Sequence, residues 1–141
     1  MKLQNNVIHA FTDGSCQPNP GNGGIACVCL YNEKEKHYSE FIGESTNNIA
    51  ELKSVELALT KIKKYDIPVW IYSDSTYTIG MLQQNWKAKV NIELVENIKR
   101  LMNKFDKIRF IKVKGHSGNK YNELCDQLAK NEVLKRKQYK K

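Results

Sequence analysis

Short apolar runs with a two-residue rhythm open the chain, and longer runs with a helical rhythm follow them. Val7 to Thr12 (VIHAFT) and Gly24 to Tyr31 (GIACVCLY) are apolar or alternating, and Pro18 to Gly23 between them is a turn cluster. This predicts a wide hairpin. A third strand over His37 to Gly43 follows the polar turn at 32–36, so the chain begins as an antiparallel three-strand meander. From Asn47 to Tyr65 the period changes, with Ile49, Leu52, Val55, Leu59 and Ile62 recurring every three or four residues. That is an amphipathic helix, capped by Thr46 or Asn47. Asp66-Ile67-Pro68 breaks it, and Val69 to Tyr72 (VWIY) has the all-apolar, β-prone character of a strand covered on both faces. The intervening helix implies a parallel crossover. Helices over Ser75 to Gln84 and Asn91 to Lys104, a fifth strand over Ile108 to Val113 and a last helix from Asn122 to Lys135 complete the order β-β-β-α-β-α-α-β-α. The basic run from Lys135 to Lys141 reads as a frayed, solvated tail.

The 141 residues suit one domain, spanning 1–141 with a core over about 7–135. With 40% hydrophobic and 27% charged residues, the composition excludes a disordered chain, and no apolar run is long enough to cross a membrane. Lys and Arg number 23 against 15 Asp and Glu, a net charge of +8 that favours polyanionic partners. Cys16, Cys27, Cys29 and Cys125 lack the spacing of a zinc site, so free thiols in a reducing cytoplasm are expected. The first six residues have no signal or transit character.

The candidate chemistry is acidic. Asp13 is expected to end the first strand and Asp74 the fourth, and if those strands are parallel neighbours both carboxylates emerge at the carboxyl edge of the sheet. Two such anions repel unless a proton or a hard cation such as Mg²⁺ lies between them. Glu51 sits about 50° from the centre of the first helix's apolar stripe, close enough to the core to need a partner. Either a metal or a lysine would serve. His116 lies in the loop Lys114-Gly115-His116-Ser117-Gly118, and Asp126 follows in the first turns of the last helix. Each residue alone has a bland reading as turn, cap or solvated side chain.

Taken in order, Phe11-Thr12-Asp13-Gly14-Ser15, Asn19-Pro20-Gly21, Thr46-Asn47-Asn48 with Glu51, Ser73-Asp74-Ser75, Lys114-Gly115-His116 and Asn122 with Cys125-Asp126 closely resemble ribonuclease H of the short type 1 form, over residues 7–130. The resemblance implies an α/β, ribonuclease H-like fold: a five-stranded mixed sheet, three strands antiparallel and two parallel, with helices on both faces. It further implies an endonuclease for the RNA strand of RNA–DNA hybrids. Asp13, Glu51, Asp74 and Asp126 would hold two Mg²⁺ ions, or Mn²⁺, and His116 would assist proton movement and product release. Asn19, Asn47 and Asn48 match positions that touch minor-groove edges and 2′-hydroxyls, and Thr46 and Asn85 match a pocket for a DNA phosphate. Thr76 stands where the family commonly has Gln, shortening one base contact.

Against the resemblance, the long basic handle of many relatives is expected to be reduced or absent after Asn85-Trp86-Lys87, and an accessory hybrid-binding domain is not expected before the first strand. Grip then rests on Trp86, Lys87, Lys89 and the general positive field, or on a protein partner. A monomer is expected. A non-catalytic hybrid-binding module would be expected to have lost part of the acidic set, an actin-like kinase would need a second half, and a resolvase or integrase core usually lacks the Lys-Gly-His loop.

Overall fold

The computed structural model describes residues 3–114 and 119–139. Five strands, β1 (Ile8–Gln17), β2 (Gly21–Tyr31), β3 (Lys34–Ser45), β4 (Val69–Ser73) and β5 (Ile108–Lys112), form one sheet in the order β3-β2-β1-β4-β5. The β1–β2 and β2–β3 pairs are antiparallel, and the β1–β4 and β4–β5 pairs are parallel. Helices α1 (Asn47–Lys61), α2 (Thr76–Leu82), α3 (Ile92–Met102) and α4 (Lys120–Tyr139) pack around it. The expected mixed sheet and element order are both present.

Alternation along β1 and β4 divides the core. Ala10 and Ile71 join Leu52, Val55 and Ile98 of α1 and α3 in one cluster, whereas the adjacent residues Phe11 and Tyr72 meet Cys125 of α4 in the other. Phe11 and Tyr72 stack at 4.2 Å between centroids, closing the α4 side of the sheet beneath the site.

The strands are longer than the apolar runs predict. β1 continues past Thr12 to Gln17 because Asp13↔Ala26 through Gln17↔Asn22 remain paired with β2, so Asp13 lies within its strand and does not end it. The turn shrinks to residues 18–20, since Gly21 to Gly23 join β2 ahead of Gly24, with a register shift at Gly23/Gly24. β3 likewise extends to both sides of His37 to Gly43, because Asn32, at φ 53°, permits a tight turn before Lys34. α1 stops at Lys61, short of Tyr65, and α2 and α3 are each trimmed at both ends. α4 begins at Lys120, two residues before Asn122, and runs on to Tyr139, so the predicted fraying at Lys135 is replaced by helix. No helix breaker occurs there, and Arg136 lies 4.7 Å over the Phe41 ring.

Candidate active site

The parallel register brings the first two carboxylates together. The last β1–β4 pair is Phe11↔Tyr72, and two residues beyond it lie Asp13, still within β1, and Asp74, one residue past the end of β4. Strand spacing of about 4.8 Å then sets their separation. Glu51 arrives from the first turns of α1, which is anchored by the Thr46 side chain accepting from the Ile49 N–H at 3.2 Å. Gly14 allows the approach, because a Cβ there would stand 2.4 Å from the Ala50 carbonyl carbon. Its N–H donates to Glu51 Oε1 at 2.6 Å, fixing that carboxylate beside Asp13. One carboxylate oxygen from each of Asp13, Glu51 and Asp74 lies within 4.8 Å of the others.

Burial and mutual repulsion shape the protonation of this group. Burial, followed by the charges of Asp74 and Asp126, pushes Asp13 up to about 8. Glu51 is also raised well above the usual carboxylate range, first by burial and then by Asp13 and Asp74, against the opposing Gly14 hydrogen bond. Without a cation the cluster therefore retains protons near neutrality. Hard oxygen donors at this spacing fit a divalent cation such as Mg²⁺, which would reverse the balance by favouring the ionised forms.

Asp126 reaches the same cleft from α4, where Cys125 Sγ donates to the Phe11 carbonyl at 3.1 Å and ties the helix to β1. Asp126 interacts with Asp13 and also pairs with Lys130 Nζ at 3.0 Å. Lys130, Glu123 and Ser75 complete the cleft wall. Lys130 was absent from the residues expected at the site, although its i, i+4 spacing from Asp126 is visible in the sequence.

The expected substrate residues divide into groups. Asn47 and Asn48 line the acidic cleft, whereas the Asn19 side chain accepts from the Asn47 N–H at 3.1 Å and Thr46 serves as the cap. Thr76 accepts from Lys112 Nζ at 2.8 Å. Asn85, Trp86 and Lys87 lie in the 83–91 connection between α2 and α3 and do not line the cleft. Asn85 accepts from Lys99 Nζ at 3.1 Å, and the half-exposed Trp86 ring rests against Gly80. His116 lies outside the described residues. The four cysteines are free thiols, and no helix among the described residues is long and apolar enough to cross a membrane.

Residues 5–134 match the family model described as RNase H. The chain belongs to the ribonuclease H family. It is 41% identical over 142 aligned residues to a protein named Ribonuclease H from Acetivibrio thermocellus, covering 91% of this chain and 95% of that one. Against Ribonuclease HI of Haemophilus influenzae it is 39% identical, with 87% of each chain covered. Its fold matches RNase H1 of Halobacterium salinarum with a TM-score of 0.82 at 23% identity, covering 92% of this chain and 98% of that one. LC11-RNase H1, solved in complex with an RNA/DNA hybrid, matches with a TM-score of 0.78 at 25% identity and the same coverage. The chain is accordingly a ribonuclease H enzyme with an Asp/Glu/Asp group suited to a metal ion.

Proposed function

We propose that this ribonuclease H acts as a single catalytic domain that cleaves the RNA strand of RNA–DNA hybrids with two divalent cations, leaving 5′-phosphate and 3′-hydroxyl ends. The observation that carries this reading is the convergence of Asp13, Glu51 and Asp74 to within 4.8 Å, with Asp126 in the same cleft. These four residues would hold the cations, Mg²⁺ or Mn²⁺. When bound, such ions lower the pKa of an attacking water and offset charge on the scissile phosphate.

The protein supplies placement. Gly14 orients Glu51 through its N–H, and the parallel β1–β4 pairing sets Asp13 and Asp74 side by side. A bound cation would favour the ionised form of the Asp13 carboxyl. Water oxygen forms the new bond to phosphorus as the P–O3′ bond breaks, and the leaving oxygen takes up a proton to become the 3′-hydroxyl. His116 is assigned the task of moving protons during turnover. Asn47 and Asn48, beside the carboxylates at the start of α1, offer amide donors and acceptors to 2′-hydroxyls, the group that distinguishes RNA from DNA. In this reading Thr46 and Asn85 grip a DNA-strand phosphate, Asn19 and Thr76 meet the minor groove and a base edge, and Trp86 and Lys87 add affinity for the hybrid.

The test uses end-labelled RNA–DNA hybrid, RNA duplex, DNA duplex and single-stranded RNA with Mg²⁺, Mn²⁺ or EDTA. Metal-dependent cutting of the hybrid's RNA strand, lost in Asp13→Asn, is expected. Binding without cutting in either metal overturns the catalytic assignment.

A further inference from the structure

On the α1 side, the sheet outruns its helix. α1 ends at Lys61, whereas β2 continues to Tyr31 and β3 returns from Lys34. The register pairs Cys27 with Tyr38, Cys29 with Lys36 and Tyr31 with Lys34. Cys27 belongs to the core beneath α1, so strand alternation puts Lys34 and Lys36 on that same face, where apolar residues would ordinarily be expected. Lys61, Lys63 and Lys64 arrive from the end of α1, and the result is a cavity of about 270 Å³. Its floor includes Ile8 and Ile62, and its walls include Tyr31 and Tyr38.

Charge is one-sided here. Five ammonium groups surround the cavity, and no carboxylate among the described residues lines it. None of the five forms an ion pair among the described residues, and neighbouring Glu35 is engaged by His37. Lys61 Nζ instead stands 5.3 Å from the Tyr38 ring centroid. Lys61 lies ten residues beyond Glu51 on one helix, about 15 Å along its axis, so this cavity is separate from the acidic cleft.

A concave site with an aromatic wall, an apolar floor and concentrated positive charge suits a small anion carrying a flat ring. We propose that the cavity binds a nucleoside polyphosphate, with its phosphates on the lysines and its base against Tyr31 and Tyr38. The concave shape suits one small ligand, its phosphates reaching the rim lysines, better than a duplex, whose backbone presents a broad convex surface. Pairing of the ammoniums with phosphate would also relieve their mutual repulsion.

Cys29 lines the cavity and provides a reporter. Its thiol is shifted downward by the hydrogen bond with Cys27 and by the Lys36 charge, against the opposing effect of burial, and the other three cysteines are buried. Alkylation of Cys29 by iodoacetamide, located by peptide mass spectrometry, is measured with ATP, inorganic triphosphate or adenosine. EDTA is present throughout, so metal-bound nucleotide cannot occupy the acidic cleft. At ten times its Kd, ATP should slow alkylation about elevenfold. Lys61→Glu and, from the opposite wall, Lys34→Glu should each abolish protection while leaving the rate of cleavage at saturating hybrid unchanged. Both replace exposed side chains, and retained cleavage reports their folding. Unchanged alkylation at millimolar ATP, or protection that survives both substitutions, overturns the site. Equal protection by triphosphate and ATP overturns the role of the base.

Discussion

Replacing Gly14 with alanine tests how the carboxylates are assembled. A Cβ at this position would lie 2.4 Å from the Ala50 carbonyl carbon and 2.6 Å from both the Ala50 oxygen and the Glu51 nitrogen. Favourable separations are about 3.5–4.0 Å, and all three neighbours are backbone atoms that cannot rotate away. The first turns of α1 must therefore retreat from β1 by about 1 Å. Glu51 is carried by those turns, and the 2.6 Å hydrogen bond from Gly14 N–H to Glu51 Oε1 would stretch with them. Overpacking of this kind costs about 1–3 kcal/mol, which predicts a Tm lower by roughly 4–12 °C. A 1 Å misplacement of a catalytic group reduces turnover by about 100-fold. Thermal unfolding by circular dichroism and initial rates on labelled hybrid, at a temperature where the variant is folded, separate the two effects. A Gly14→Ala enzyme within twofold of wild-type turnover would refute the argument that this glycine sets the Glu51 position.

Asp13→Asn should stabilise the metal-free protein at alkaline pH. Because the folded carboxyl sits near 8 against an ordinary 3.8, folding takes up a proton over that interval and stability falls as pH rises through it. The gain should be absent below pH 4 and largest above pH 8, with a ceiling of about 6 kcal/mol, measurable by denaturant titration in EDTA. Gly24→Ala would drive a methyl to 2.1 Å from the Ala129 carbonyl of α4, so displacement of Asp126 should lower kcat by about 10-fold or more and loosen the helix by about 1–3 kcal/mol, read by hydrogen exchange. Gly80→Ala should expel the Trp86 ring, whose atoms lie 2.3–2.5 Å from the added carbon, and red-shift its fluorescence, while the helix-propensity gain of about 1 kcal/mol offsets part of the packing loss. Hybrid affinity should fall steeply with salt, and Lys87→Ala should reduce the log–log slope by about one if that lysine meets a phosphate; an unchanged slope removes it from the interface.

Much of this protein was legible in residue order. The two-residue rhythm of Val7 to Thr12, the helical spacing from Ile49 to Ile62 and the Pro68 break give the sequence of strands and helices because these signals act over a few neighbouring residues. The acidic set was legible for a similar reason, since each carboxylate stands at a recognisable place on its own element. The extents of the strands were not. Asn22 and Gly23 read locally as a turn, yet they pair with Gln17 and Cys16 in the β1 ladder and extend β1 beyond Asp13. The contact of Gly14 with Glu51, the separation between the acidic cleft and Asn85, and the cavity left where β2 and β3 outrun α1 also depended on how distant elements pack. Side-chain type and spacing determined which elements form and which acidic residues are available to a site. Tertiary structure decided which of those residues meet, because backbone pairing and close packing act between segments that the chain keeps tens of residues apart.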